Sequence, residues 1–216
     1  MSWQRNTTSV LDTPKWLRHD DAMSASALPP LVLASASPRR RWLLEKLGRA
    51  FDVDVPDIDE VVGPDERPDA FAQRMADEKA AAVALRRRDA WVLAADTIVT
   101  LDATALGKPR DAAEAVAMLS ALAGRAHVVF TGVALLRPGG EPADRMVLGT
   151  PVVFRTLTRA EIDAYLATGE PFDRAGSYAI QGEGAHLIDR VDGSYTNVIG
   201  LPLPEVAAWL RRWRIL

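Results

Sequence analysis

Two β-rich runs, His127 to Leu136 and Met146 to Leu157, are joined by Arg137, Pro138, Gly139 and Gly140. Runs dense in β-branched and apolar residues favour extended backbone, and a Pro-Gly-Gly joint turns the chain back, so the pair reads as a long hairpin. That places an antiparallel ladder in the second half of the chain. The first half is punctuated differently: Leu31 to Ala34 and Trp91 to Ala95 are short apolar runs of the buried-strand kind, and helical stretches alternate with them. A sheet that holds both patterns is mixed, and the class is α/β.

The helices are marked by their ends. The first carries Trp42, Leu43, Leu44 and Leu47 as apolar positions and stops at Gly48, while the second is entered through Pro68 and runs to about Arg87. Asp111 with Glu114, and Thr158 with Glu161, have capping-box spacing, and Gly124 and Gly169 are the matching stops. Phe51 to Val55 alternates apolar with acidic and is expected to be a half-buried strand. Gly176 to Gly200 is expected to be glycine-punctuated β structure with a tight turn at Asp192 and Gly193, followed by a helix from about Pro204 to Arg214. With 216 residues the chain supports one substantial core. Residues 31–216 are therefore read as a single domain, and residues 1–30, polar and mixed up to Leu28-Pro29-Pro30, as a poorly ordered extension. A start at Met23 would leave every motif intact.

Several function classes fall away on composition. Cysteine is absent, which removes disulfides, thiolate catalysis and cysteine zinc sites, and fits a reducing cytoplasm. No apolar run reaches the roughly eighteen residues of a membrane span, and the N-terminus lacks the pattern of a secretory signal. Basic residues number 26 against 29 acidic ones, so the chain does not attract nucleic acid by bulk charge, and it shows one compact basic cluster rather than a stripe with stacking aromatics. Any anion has to be caught locally.

The basic cluster is ASASPRRRW, Ala34 to Trp42, directly after the first apolar run. Ser37 suits an N-cap and Pro38 the first helical position, which puts Arg39, Arg40 and Arg41 in the first turn. Cations there oppose the helix dipole, a local conflict that an incoming polyanion resolves, because free N–H groups, the Ser35 and Ser37 hydroxyls and guanidinium forks all favour phosphate oxygens. A solvated basic face is the competing reading. LAADTIV, Leu93 to Val99, puts Asp96 at the end of a buried apolar strand, where a metal ligand or general base is commonly held and where a turn cap is the alternative. Asp57, Asp59 and Glu60 add carboxylates of the kind that suit Mg²⁺ or Mn²⁺. On the second helix Lys79 falls between Met75 and Val83, so a charge points toward the interior or a cleft, unless it snorkels along the core edge. Lys108 lies in the stiffened loop Gly107-Lys108-Pro109. Gln181 beside Gly182 offers an amide that donates and accepts, as base recognition requires, though a surface glutamine on a bulged strand fits as well; Asn197 is a further polar candidate. His19, His127 and His186 lack metal-ligand spacing, and no histidine partners a serine nucleophile.

Taken in order, SASPRR, the DE of Asp59-Glu60, EKA at Glu78, ADT at Asp96, GKPRD at Gly107, AIQG and GSYTNVIGLPL resemble the Maf family of nucleoside triphosphate pyrophosphatases, over about Leu31 to Leu210. The resemblance implies an elongated α/β fold of the inosine-triphosphatase type, with two lobes about a deep cleft, in a homodimer. It implies cleavage of a nucleoside triphosphate between its α and β phosphates with a divalent metal, Mg²⁺ or Mn²⁺. Asp96 then matches the proton acceptor, Ser35, Ser37, Arg39, Arg40, Lys79 and Lys108 match phosphate-handling positions, the two lysines stabilising charge in the transition state, and Glu60 with Asp96 contacts the metal. Arg39, Thr97 and Gln181 match the positions that sort the branches by base, and this combination resembles the branch acting on dTTP and UTP. A nucleotide-binding regulator of cell division, sensing a triphosphate without turnover, is the competing function.

Overall fold

The computed structural model describes residues 28–216. Residues 1–27 of the expected extension, with Met23 and His19, lie outside that range. Seven strands form one sheet in the order β2-β1-β3-β5-β6-β7, with β4 pairing β3. They are β1 (Leu31–Ala34), β2 (Asp52–Val53), β3 (Trp91–Leu101), β4 (Thr104–Leu106), β5 (Ala126–Leu136), β6 (Pro142–Phe154) and β7 (Ile188–Val191). The helices are α1 (Pro38–Glu45), α2 (Pro68–Ala84), α3 (Ala112–Leu122), α4 (Arg159–Ala167), α5 (Tyr195–Ile199) and α6 (Leu203–Arg212). The β5–β6 hairpin turns at Arg137 to Gly140, where Gly139 and Gly140 take the positive φ that the joint requires. Pairing of β1 with β2 and β3 is parallel and the remaining ladders are antiparallel, so the mixed α/β sheet is as expected.

Alternate residues of β1 and β3 feed opposite faces. Leu31, Leu33, Trp91 and Leu93 pack with α1 and α6 through Leu43, Leu44, Val206 and Leu210. Val32, Val92 and Ala94 pack against Ala76, Ala80 and Val83 of α2. Farther along β3, Val99 and Leu101 belong to a separate core with Leu119 and Leu122 of α3 and Ile162 and Tyr165 of α4. These two bodies, α1 with α6 and α3 with α4, are the lobes. Small residues on α2 let it lie close to the sheet; a Cβ built on Gly132 of β5 would stand 2.2 Å from the Ala72 carbonyl oxygen.

Several expectations change. Asp96 is inside β3, not at its end, because β3 continues to Leu101 against β5. The expected strand Phe51 to Val55 shrinks to the two exposed residues of β2, which has a sheet neighbour on one side only. Most of Gly176 to Gly200 is 3-10 turns and the short α5, leaving β7 as its one strand: the glycines there allow close approach rather than a ladder, as where Gly184 abuts the Tyr165 hydroxyl. Trp42 turns to solvent, with the Lys46 ammonium over its ring. Of the capping boxes, Thr158 with Glu161 is reciprocal, whereas Glu114 turns to the Arg110 N–H instead of its own cap.

His127 is buried at the start of β5, its Nε2 sharing a 2.8 Å hydrogen bond with the Tyr178 hydroxyl. Burial alone lowers its pKa from 6.5 to about 4. The native state therefore binds fewer protons than the unfolded state between those values, so stability is undiminished above pH 6.5 and is lost as the pH falls through about 4. The loss is on the order of 3 kcal/mol. Melting curves between pH 7 and 4 should show it, and His127→Gln should flatten that part of the slope.

Candidate active site

The site begins where β3 loses a neighbour. Pairing with β1 ends at Ala34 and Ala94, and pairing with β4 begins at Val99. Between them, among the described residues, one edge of β3 carries no partner strand. Successive side chains of a strand point to opposite faces, so Asp96 turns toward α2 and Thr97 toward α5. Both nevertheless reach one cleft of about 410 Å³, which wraps round the bare edge.

The opposite wall is the β1–α1 corner. Ser37 caps α1, its Oγ accepting from the Arg40 N–H at 3.4 Å, and Pro38 opens the helix. Ser35 Oγ accepts from the Ser37 N–H at 3.1 Å. Arg39 and Arg40 line the cleft, while Arg41 turns away to Glu45 on the exposed helix face. Arg40 is fixed by three contacts: Nε donates to the Gly200 carbonyl at 2.9 Å, Nη1 to Ser35 Oγ at 3.3 Å and Nη2 to Thr97 Oγ1 at 3.0 Å. A guanidinium has five N–H groups, so two remain for a ligand. Burial lowers the pKa of Arg40 while Asp96 and Glu60 oppose that shift. Arg39 is lowered by burial and then by the neighbouring cations Arg174 and Arg40, crowding that an anion relieves.

The acidic wall is built around Lys79. Its Nζ lies 2.5 Å from Asp96 Oδ1 and 2.6 Å from Glu60 Oε1. Lys79 is 7% exposed and Asp96 6%. Burial pushes the Asp96 carboxyl above its usual value, with Arg40 and Lys79 pulling against that rise. Two carboxylates thus converge on one cationic point.

Most of the side chains singled out in the sequence line this cleft: Ser35, Ser37, Arg39, Arg40, Glu60, Lys79, Asp96, Thr97, Lys108 and Gln181. Lys108 is exposed at the rim, 2.5 Å from Asp173, and Gln181 is exposed on the far rim. Asp57 and Asp59 are exposed and do not line it. Asn197 is fully buried and structural: the two N–H groups of its Nδ2 are shared among the carbonyls of Val129 at 3.0 Å and Leu148 at 3.2 Å and Thr150 Oγ1 at 3.0 Å. Reading the sequence missed Arg174, which lines the cleft beside Arg39, and the floor made by Val99, Val129, Tyr178 and Val198. A charged pair, Asp173-Arg174, immediately before the glycine-rich AGSYAIQG was the available signal for the first. The floor had none, because Val99 and Val129 in strands read as core, as do an isolated Tyr178 and Val198.

An α/β protein whose cleft sets a cationic helix start against paired carboxylates is the class that fold and site define. The chain belongs to the Maf family: the model described as "Maf-like protein" matches residues 30–213. A dTTP/UTP pyrophosphatase of Myxococcus xanthus is 54% identical over 84% of this chain and 91% of that protein. A protein of the same name from Desulfotalea psychrophila is 49% identical over 87% and 96%. Among solved structures, a HAM1 protein from Coxiella burnetii aligns with a TM-score of 0.48 at 18% identity, covering 85% of this chain and 98% of that one.

Proposed function

We propose that the protein is a nucleoside triphosphate pyrophosphatase acting on dTTP and UTP, releasing the nucleoside monophosphate and pyrophosphate. The observation that carries the reading is the joint presence, in one cleft, of the cationic corner at Arg39 and Arg40 and the buried Asp96. The names of the relatives supply the substrates.

In this reading the triphosphate lies across the start of α1, where the two free N–H groups of Arg40, the Arg39 guanidinium and the helix dipole meet its charge. Lys108 at the rim meets the pyrophosphate that leaves. Lys79 holds Asp96 Oδ1 and so orients Oδ2 toward a water, and a carboxyl whose pKa burial has raised is a stronger base for that water's proton. The water oxygen attacks the α-phosphorus, the bond to the α,β-bridging oxygen breaks, and pyrophosphate departs with charge stabilised by lysine and arginine. Glu60 and Asp96 would hold a Mg²⁺ or Mn²⁺ ion. Both carboxylates meet Lys79 Nζ in this structure, so the ion would be held by the carboxylate oxygens that the lysine leaves free, hard ligands of the kind such an ion takes; among the described residues no group of three or more acidic or histidine side chains is gathered to make a closed cage. Bound there, the ion supplies Lewis-acid charge neutralisation. Arg39, Thr97 and Gln181 select the base. A cytoplasmic homodimer that does not bind nucleic acid goes with the same reading. Among the described residues no helix is long and apolar enough to cross a membrane.

Incubation with Mg²⁺ and a panel of triphosphates, with products separated by anion exchange, checks this. Monophosphate and pyrophosphate should appear in equal amounts from dTTP and UTP, with no free orthophosphate. Preference for 7-methyl-GTP would overturn the base assignment, and binding without any monophosphate would overturn hydrolysis.

A further inference from the structure

Thr131 sits on β5 directly across from Thr97 of β3 and is fully buried. Its hydroxyl donates to the Asn197 carbonyl at 3.0 Å. A hydroxyl has one proton. Toward Thr97 Oγ1, 3.0 Å away, Thr131 therefore only accepts, and Thr97 has to donate. On its other side Thr97 Oγ1 accepts from Arg40 Nη2 at 3.0 Å, and a guanidinium has nothing but donors. The direction of the whole row is thus set from its two ends: Arg40 to Thr97, Thr97 to Thr131, Thr131 to the Asn197 carbonyl. That carbonyl is itself held, because the Asn197 side chain is tied to β5 and β6.

What Thr97 has left is one lone pair, and Thr97 is half-buried in the cleft wall. We infer that Thr131 is a positioning residue for base selection: by drawing the Thr97 proton inward it leaves Thr97 a pure acceptor toward the ligand, so the cleft favours a base edge that offers an N–H over one that offers a bare ring nitrogen. Uracil and thymine carry an N–H at ring position 3. Cytosine carries an unprotonated nitrogen there, whose lone pair would oppose that of Thr97. The inference rests on the pyrimidine triphosphate reading and adds to it the reason for the preference. A sugar hydroxyl is the other donor able to use the same lone pair.

Thr131→Val keeps the shape and deletes the hydroxyl. The Thr97 proton then loses its acceptor and is free to turn into the cleft, where it serves a bare nitrogen. In kcat/KM measurements the UTP preference over CTP should narrow by about tenfold, the size of one neutral hydrogen bond. Thr131→Ser should restore it, which a packing role alone would not do. On the unmodified enzyme, 3-methyl-UTP should be a poor substrate and 3′-deoxy-UTP should not, a comparison that needs no variant to fold. An unchanged UTP-to-CTP ratio in a folded Thr131→Val protein would overturn the inference. So would a 3-methyl-UTP as good as UTP beside a failing 3′-deoxy-UTP, which would give the lone pair to the sugar. Were no pyrimidine triphosphate hydrolysed at all, the hydrolytic reading would fall separately, and equilibrium binding of UTP and CTP to both proteins would carry the same ratio test.

Discussion

Asp96→Asn removes turnover and leaves the protein standing. Loss of a positioned general base lowers kcat by about 10²- to 10⁴-fold, and pyrophosphate release from UTP should fall accordingly. Stability should hold, because the change replaces a buried carboxylate, whose desolvation the structure must offset, with a neutral amide of the same outline. Lys79 is not stranded by it, since Glu60 stays within 2.6 Å. Binding of UTP without added metal should be as tight or tighter, for one negative charge has left the neighbourhood of the phosphates. Titration calorimetry with a melting curve separates these effects. A variant that binds, melts like the parent and still releases pyrophosphate at the parent rate would take the base role away from Asp96. Glu60→Gln is the useful companion: it should raise the metal concentration needed for half-maximal rate while leaving the Asp96–Lys79 contact in place.

The sequence carried the site better than it carried the fold around it. Ser37, Pro38 and the arginines announced themselves because they break a local rule, placing cations where the helix dipole favours anions, and such conflicts stand out without knowledge of tertiary contacts. Lys79 was legible from helical periodicity alone, as a charge on an apolar arc. Asp96 was legible as a residue but not as a position. Its strand continues for five residues beyond it, and what exposes it is the early end of β1, a fact about pairing that no window of β3 contains. The stretch from Gly176 to Gly200 misled for the converse reason: glycines permit bulged strands and tight 3-10 turns equally, and contacts with Val99, Tyr165 and Thr97 decide between them. Thr131 gave no signal at all. A threonine within a β-rich run satisfies strand propensity, and its hydroxyl acquires meaning only from the carbonyl of Asn197, 66 residues farther along.

Gly132→Ala is expected to be the most destabilising single-methyl change in the domain. Gly132 pairs across the ladder with Asp96, and both face α2. An added Cβ would stand 2.2 Å from the Ala72 carbonyl oxygen, 2.4 Å from its carbonyl carbon and 2.6 Å from the Gln73 nitrogen. These are backbone atoms of a helix, so no side chain can rotate out of the way and α2 itself has to lift. Overpacking of this kind costs about 3 kcal/mol, at the upper end of the usual range because the obstacle is rigid. For a domain of this size that corresponds to a fall of roughly 10 °C in melting temperature. Lifting α2 also carries Lys79 away from Asp96, two helical turns after Ala72, and loosens the Gln73 side chain from the Val133 carbonyl that it reaches at 3.2 Å. Activity should therefore drop even at temperatures where the variant is fully folded, as a lower kcat with little change in KM, because the phosphate corner at Arg40 lies on the other side of the cleft. Gly149→Ala provides the contrast: there the new Cβ meets the Phe130 ring at 2.7 Å, the far end of a side chain that can swing aside, and both stability and kcat should change less. Equal losses in the two variants, or a Gly132→Ala protein with the parent's kcat, would mean that the closeness of α2 to the sheet does not set the lysine against the carboxylate.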